Sequence, residues 1–319
     1  MSNYEYRKNL FNQFKEKRER DVITLITSTK QPEEHFSAQI AVDILPIFNS
    51  LMNTSKDDNK DIDLIIYSAG GQIDAPWAVV NLIREYYKNL CVVVPFRAHS
   101  AATLIALGAD HIDMGPLGTL SPIDPQLMIK QPDPGMNIRT GIEDIYGYYD
   151  LIKETLGLDS AGKAEALKLL ANRIGPEILG QASRIRNEIR IVATNLLSLH
   201  MKDEQKIGDI VSGLVEKLHS HQYMVNRREA RNFGLPVVYL EGEFEEIATK
   251  IVNSYIDEAK MDEPGLNVNF GPGESKKVIE MNRAFIENEH KSVVYRTQYT
   301  IYKDGKLEKR TNKWMEVTP

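Results

Sequence analysis

Cysteine is almost missing from this chain of 319 residues, where Cys91 stands alone. A lone cysteine in an apolar run excludes an internal disulfide and a cysteine-based metal site, and it fits a reducing compartment, so Cys91 reads as a core residue. Long apolar runs are missing as well. The longest candidate, from Cys91 to Ala109, is interrupted by Arg97, His99 and Ser100 and falls short of the roughly eighteen uninterrupted apolar residues of a membrane span. The N-terminus is charged and carries no signal-peptide core, so the expectation is a cytoplasmic protein without an integral membrane segment. Positive charge is not concentrated: the net charge of -6 is scattered and leaves no basic stripe, which argues against a nucleic-acid partner. His35, His111, His200 and His290 lack any paired spacing for a metal. The run from Lys56 to Asp61 lacks the spacing of a calcium loop, and no metal or other cofactor is expected.

What is present is an apolar fraction of 42%, enough to bury one sizeable core or one core with an appendage. Residues 2–20 read as an amphipathic helix with Tyr6, Leu10, Phe11 and Phe14 on one face. A strand over 21–28 and a helix over 37–52 follow. Next come a strand at 62–67, a helix at 75–89, a strand at 91–96 and a helix at 101–108. Such alternation predicts a parallel sheet, with catalytic loops at the carboxyl ends of its strands. Short strands are expected at 111–114 and 119–123, and a loop over 130–141. From 141 to about 218 the pattern is helical, as in a lid or an assembly arm. A short helix at 227–233, a strand at 236–240 and a helix at 244–259 end the core. Beyond Pro264 the reading is a polar helix and then a hairpin from Ser292 to Val317, which must pack on the body or on another subunit.

Two strand-to-helix turns stand out. In Ile65-Ile66-Tyr67-Ser68-Ala69-Gly70-Gly71 the glycine pair leaves backbone N–H groups uncovered, able to face an oxygen that becomes negative. In Val94-Pro95-Phe96-Arg97-Ala98-His99-Ser100-Ala101-Ala102-Thr103, small residues keep the space around the Ser100 hydroxyl open at a helix start. Ser100 is the best nucleophile candidate in the chain. From the residue alone, its bland alternative is a helix N-cap.

Together with Ile105-Ala106-Leu107-Gly108-Ala109-Asp110, these segments resemble the Clp-protease and signal-peptide-peptidase group of the crotonase-like superfamily. Gly118-Thr119-Leu120-Ser121-Pro122-Ile123-Asp124-Pro125-Gln126 and Glu229-Ala230-Arg231-Asn232-Phe233-Gly234-Leu235-Pro236-Val237 bring the resemblance closer to the serine dehydrogenase proteinase family. It spans about residues 20–260. The resemblance implies an α/β fold of Clp/crotonase-like stacked ββα units with a helical insertion and a C-terminal β-hairpin appendage. The corresponding division is an N-terminal helix over 1–20, a protease domain over 21–262 with its helical region at 141–218, and an appendage of helix and hairpin over 263–319. It further implies an oxyanion hole from Gly70, Gly71 and Ala101, with Ser100 as nucleophile.

A serine hydroxyl needs a base. In the Clp group that base is a histidine in the strand region after the serine helix, where this chain has Ser121-Pro122-Ile123-Asp124-Pro125. His219-Ser220-His221 lies where the group carries its aspartate, so the two roles could have exchanged places, with His221 as base and Asp124 orienting it. The structural alternative has His221 buttressing a loop and Asp124 making a turn before Pro125. His219 is a second choice. The signal-peptide-peptidase group uses a lysine, for which Lys153 or Lys163 qualify by position alone, although both lie on polar helical faces. His99 is read as a wall residue, because side chains adjacent in sequence diverge.

The expectation is an ATP-independent serine peptidase, a homo-oligomer acting on peptide or unfolded protein. The rivals are a crotonase-type acyl-thioester enzyme and a non-catalytic peptide-binding or assembly scaffold.

Overall fold

The computed structural model describes residues 2–52, 60–130, 137–218 and 223–317. Its strands are β1 (Asp21–Thr27), β2 (Asp61–Tyr67), β3 (Asn89–Val94), β4 (Arg97–Ala98), β5 (His111–Met114), β6 (Thr119–Leu120), β7 (Gln126–Lys130), β8 (Asn137–Gly141), β9 (Val225–Asn226), β10 (Val237–Tyr239), β11 (Lys276–Glu287), β12 (Ser292–Tyr302) and β13 (Leu307–Val317). Eight of them form one sheet in the order β10-β5-β3-β2-β1-β11-β12-β13. The first five are parallel to one another, and the last three join antiparallel. The mixed α/β architecture expected from the alternation of elements is present.

Strand periodicity explains why β1, β2 and β3 are buried along nearly their whole length. Successive side chains face opposite sides, so each strand feeds two cores. Ile23, Leu25, Leu64, Ile66, Val92 and Val94 pack with helices Leu45–Met52, Asp74–Arg84 and Ala101–Leu107 and with Ile189, Ala193 and Leu196 of helix Pro176–Ser198. Val22, Ile26, Ile65, Tyr67, Cys91 and Val93 pack on the other side with helices Asn3–Arg18 and Gly242–Ala259. Burial pushes the Cys91 thiol well above its ordinary range, as a core residue requires.

Four local expectations are corrected. In the N-terminal helix Tyr4 rather than Tyr6 faces inward, because the buried stripe runs Tyr4, Arg7, Phe11, Phe14 and is completed by a paired arginine. The helix expected over 37–52 is shortened: it is α-helical only over Leu45–Met52, after a tight turn at Val42–Ile44, and Ile40 is held extended as a backbone partner of Gly71. The loop expected at 130–141 contains β8, which pairs with β7. The polar helix expected before Ser292 is β11. Its residues 284–287 pair with 24–27 of β1, whose open edge would otherwise leave backbone groups unpaired, so the expected hairpin becomes a three-stranded extension of the main sheet. Among the described residues no helix is long and apolar enough to cross a membrane.

Arg7 ties the two ends of the chain together. Its guanidinium, 1% exposed, grips the fully buried Glu287 of β11 at 2.8 and 2.9 Å, reaches Glu258 at 2.7 Å, and lies 4.1 Å from the Tyr255 ring centre. Burial alone would disfavour that charge, but Tyr255, Glu287 and Glu258 raise the Arg7 pKa above its ordinary value. Arg7→Ala leaves Glu287 without its cation, and we expect a loss of about 3–5 kcal/mol in urea unfolding. A midpoint equal to that of the unaltered protein contradicts this account.

Candidate active site

Ser100 lies one residue beyond β4, after His99, and immediately precedes helix Ala101–Leu107. Its backbone has φ 52° and ψ -115°, a conformation that non-glycine residues avoid at a cost of about 1–3 kcal/mol. This sharp strand-to-helix turn is the geometry that lifts a nucleophile out of its chain. The Ser100 side chain makes no capping hydrogen bond to the helix. Ser100 thus occupies the N-cap position without its hydroxyl serving as the cap.

Gly70 presses against that turn. A Cβ added to Gly70, whose φ is +113°, would lie 2.6 Å from the Ser100 Cβ and 3.1 Å from the Ala101 nitrogen. A Cβ on Gly71 would come within 2.0 Å of the Ile40 carbonyl oxygen. Both positions require glycine because backbone occupies the space a side chain would need. The Gly70 N–H donates to Ser68 Oγ at 3.0 Å, the Ile40 N–H to the Gly70 carbonyl at 2.9 Å, and the Gln72 N–H to the Ile40 carbonyl at 2.8 Å. Among the described residues, the N–H groups of Gly71 and Ala101 have no hydrogen-bond partner. They are two donors beside one unengaged serine hydroxyl.

The walls are held by hydroxyl groups that sequence reasoning missed. Buried Ser68 shares a 2.7 Å hydrogen bond with Thr27 at the end of β1. Ser121, just beyond β6, accepts the Ser100 N–H at 2.8 Å and donates to the Pro122 carbonyl at 2.9 Å. Thr103 Oγ1 donates to the Ala98 carbonyl at 2.7 Å and accepts the Ser121 N–H at 3.1 Å. The available signal was position: each hydroxyl lies within a few residues of a strand's carboxyl end or inside a motif already singled out.

The structure thus brings Gly70, Gly71, Ser100 and Ala101 together. His99 Nε2 meets Thr119 Oγ1 at 2.9 Å, which fits a wall residue. Asp124 is 5% exposed and accepts the Glu143 N–H at 3.1 Å, at the first turn of helix Ile142–Asp150. Lys153 has half of its side chain exposed, 3.9 Å from Glu154. Lys163 is part of helix Ser160–Ile174. His219 and His221 lie outside the described residues.

Residues 1–140 match the family model of the ClpP-like SDH-type serine proteinases, so the resemblance read from the glycine and serine turns holds over that stretch. An uncharacterized protein of Methanocaldococcus jannaschii is 30% identical over 56% of this chain and 54% of its own length. A second one from the same organism is 36% identical over 22% of this chain and 24% of its own. The chain thus spans about half, or less, of the length of these curated relatives. Two solved structures of the 1510-N membrane-bound stomatin-specific protease, both mutants and one in complex with a substrate peptide, are 18% and 17% identical. They cover 70% and 75% of this chain and 81% and 80% of their own, with TM-scores of 0.42 and 0.41. ClpP1 from Listeria monocytogenes is 13% identical over 68% of this chain and 92% of its own, with a TM-score of 0.36.

Gly71→Ala must displace the Ile40 backbone, and we expect a loss of about 1–3 kcal/mol in urea unfolding, as for an overpacked core. Gly147→Ala, where an added Cβ meets nothing within 4 Å, is the control and should be neutral or slightly stabilising. Equal midpoints for the two variants contradict the close approach.

Proposed function

We propose that this chain is an ATP-independent serine peptidase in which Ser100 attacks the scissile carbonyl. The observation that carries this reading is the uncapped Ser100 hydroxyl on a strained turn, beside the unpartnered N–H groups of Gly71 and Ala101. Those two donors stabilise the oxyanion of the tetrahedral intermediate. The Ser100 proton passes to a base and then to the leaving amine, and water hydrolyses the acyl-enzyme. We assign the base to His221 on its position in the sequence, with Asp124 as its orienting carboxylate. A buried aspartate already anchored by the Glu143 N–H suits that task.

Substrate binding follows from the edge that the glycine turn leaves open. Ile40 uses the Gly70 carbonyl and the Gln72 N–H. In extended backbone, alternate residues address opposite edges, so the Gly71 N–H and carbonyl both face away from Ile40: the N–H is reserved for the oxyanion, and the carbonyl can accept from the backbone of an extended peptide. Recognition through backbone makes cleavage only weakly dependent on sequence. Exposed Leu156, Leu167, Leu169 and Ile191 in the helical region support an assembly of several copies, which sedimentation would read as a mass above that of the single chain.

A fluorophosphonate probe should label the protein, and Ser100→Ala should abolish labelling and lower peptide hydrolysis by about 10⁴-fold or more. No labelling in any assembly state rejects the peptidase and leaves the scaffold reading. His221→Ala should lose activity on a comparable scale. With histidine as base, kcat/KM should rise from acidic towards neutral pH and level off, because the base works only when neutral. A rise confined to higher pH, or full activity in His221→Ala, moves the base elsewhere without touching the nucleophile.

A further inference from the structure

Gly118-Thr119-Leu120-Ser121 contributes no group to the reaction above, yet it touches the nucleophile turn twice. Thr119 Oγ1 donates to the Phe96 carbonyl at 3.1 Å, so it meets His99 Nε2 at 2.9 Å as an acceptor and fixes that ring against the strand. Ser121, 3% exposed, is the only side chain bonded to the Ser100 backbone among the described residues. Its hydroxyl proton is committed to the Pro122 carbonyl, which leaves a lone pair directed at the Ser100 N–H. Thr103, fully buried, closes the arrangement by linking the first turn of the serine helix to the backbone of both Ala98 and Ser121.

We infer that Ser121 is a positioning residue that keeps Ser100 in its reactive conformation. The inference rests on the peptidase reading and adds to it the reason the serine does not become a cap. A serine before a helix has two local options. With negative φ its hydroxyl turns back to cap the helix, satisfying the exposed amides and leaving the site. With positive φ the hydroxyl projects outward, at the expense of backbone strain. The 2.8 Å hydrogen bond from the Ser100 N–H to Ser121 Oγ selects the second option, because turning the Ser100 peptide towards the cap would break it and leave a half-buried N–H unpaired. The distance in sequence between Ser100 and Ser121 hides this coupling. β4 and β6 pair in parallel, Arg97 with Thr119 and Ala98 with Leu120; continued by one step this register sets Ser121 opposite His99, within reach of the next N–H, that of Ser100.

The test compares the full chain with Ser121→Ala by fluorophosphonate labelling, peptide hydrolysis and amide exchange at Ser100. We expect Ser100 amide protection to drop and the labelling rate and kcat to fall by about 10²-fold, the loss caused by misplacing a reacting group by about 1 Å. KM should be nearly unchanged. A merely structural role would instead lower the melting temperature and leave kcat per titratable site intact. Ser121→Cys, with its weaker acceptor, should fall between the two, and it supplies the comparison if Ser121→Ala does not fold. Labelling and exchange equal to those of the unaltered chain in the folded variant overturn the inference. If the unaltered chain takes no label, the peptidase reading falls, while exchange at Ser100 still decides whether the clamp exists.

Discussion

At Gly70 and Gly71 three stretches of backbone approach more closely than any side chain permits. The extended segment at Ile40 lies against Gly71, and the Ser100 turn lies against Gly70. Remove either glycine and one of the neighbours has to withdraw. The rest of the site depends on that approach: it fixes Gly71 and Ala101 relative to one another and holds Ile40 out of the helix expected over 37–52. A constraint made from backbone is rigid because it has no rotamers to relax into.

The sheet beneath serves that approach. β1, β2 and β3 are sealed on both faces by helices, and their carboxyl ends deliver Thr27, Ser68 and the β4 turn to one place. Far from that edge, Arg7 closes the sheet by joining the first helix to β11 through Glu287. Arg18 makes a second seal, with Asp63 at 2.6 Å and Asp113 at 2.7 Å. Burial dominates at Asp63 and raises its pKa despite the neighbouring arginines, so this pair contributes order to the sheet at a considerable desolvation cost. The hydroxyls near Ser100 do similar work with neutral groups, where desolvation is cheaper and the geometry stricter.

Much of the site was legible in the sequence because it is made of residues with few alternatives. A glycine pair after an apolar run, and a serine after a second run with alanines behind it, each restrict the backbone locally, and both turns stand where they were expected. The supporting hydroxyls were not legible. Thr27, Ser68, Thr103 and Ser121 are ordinary residues in their own segments, and their roles arise only when β1, β2, β4 and β6 are brought side by side. Arg7 misled for the same reason, since a charged residue in an apolar stripe shifts the apparent helical face until its carboxylate partner, 280 positions away, is known.

By itself the sequence determined the inward-facing residues of the central strands and the positions of the two site turns, because strand periods and the backbone freedom of glycine are local properties. It determined the two-faced strands, the serine turn and the glycine turn. Only the tertiary structure decided what pairs with what. A run such as Lys276–Glu287 carries apolar residues compatible with either helix or strand, and the open edge of β1 made it a strand. Ser100 carries a hydroxyl able to cap or to project. The turn between Gly70 and Ser121 set it apart from the helix, because pairing across a sheet satisfies backbone groups that no local pattern can reach.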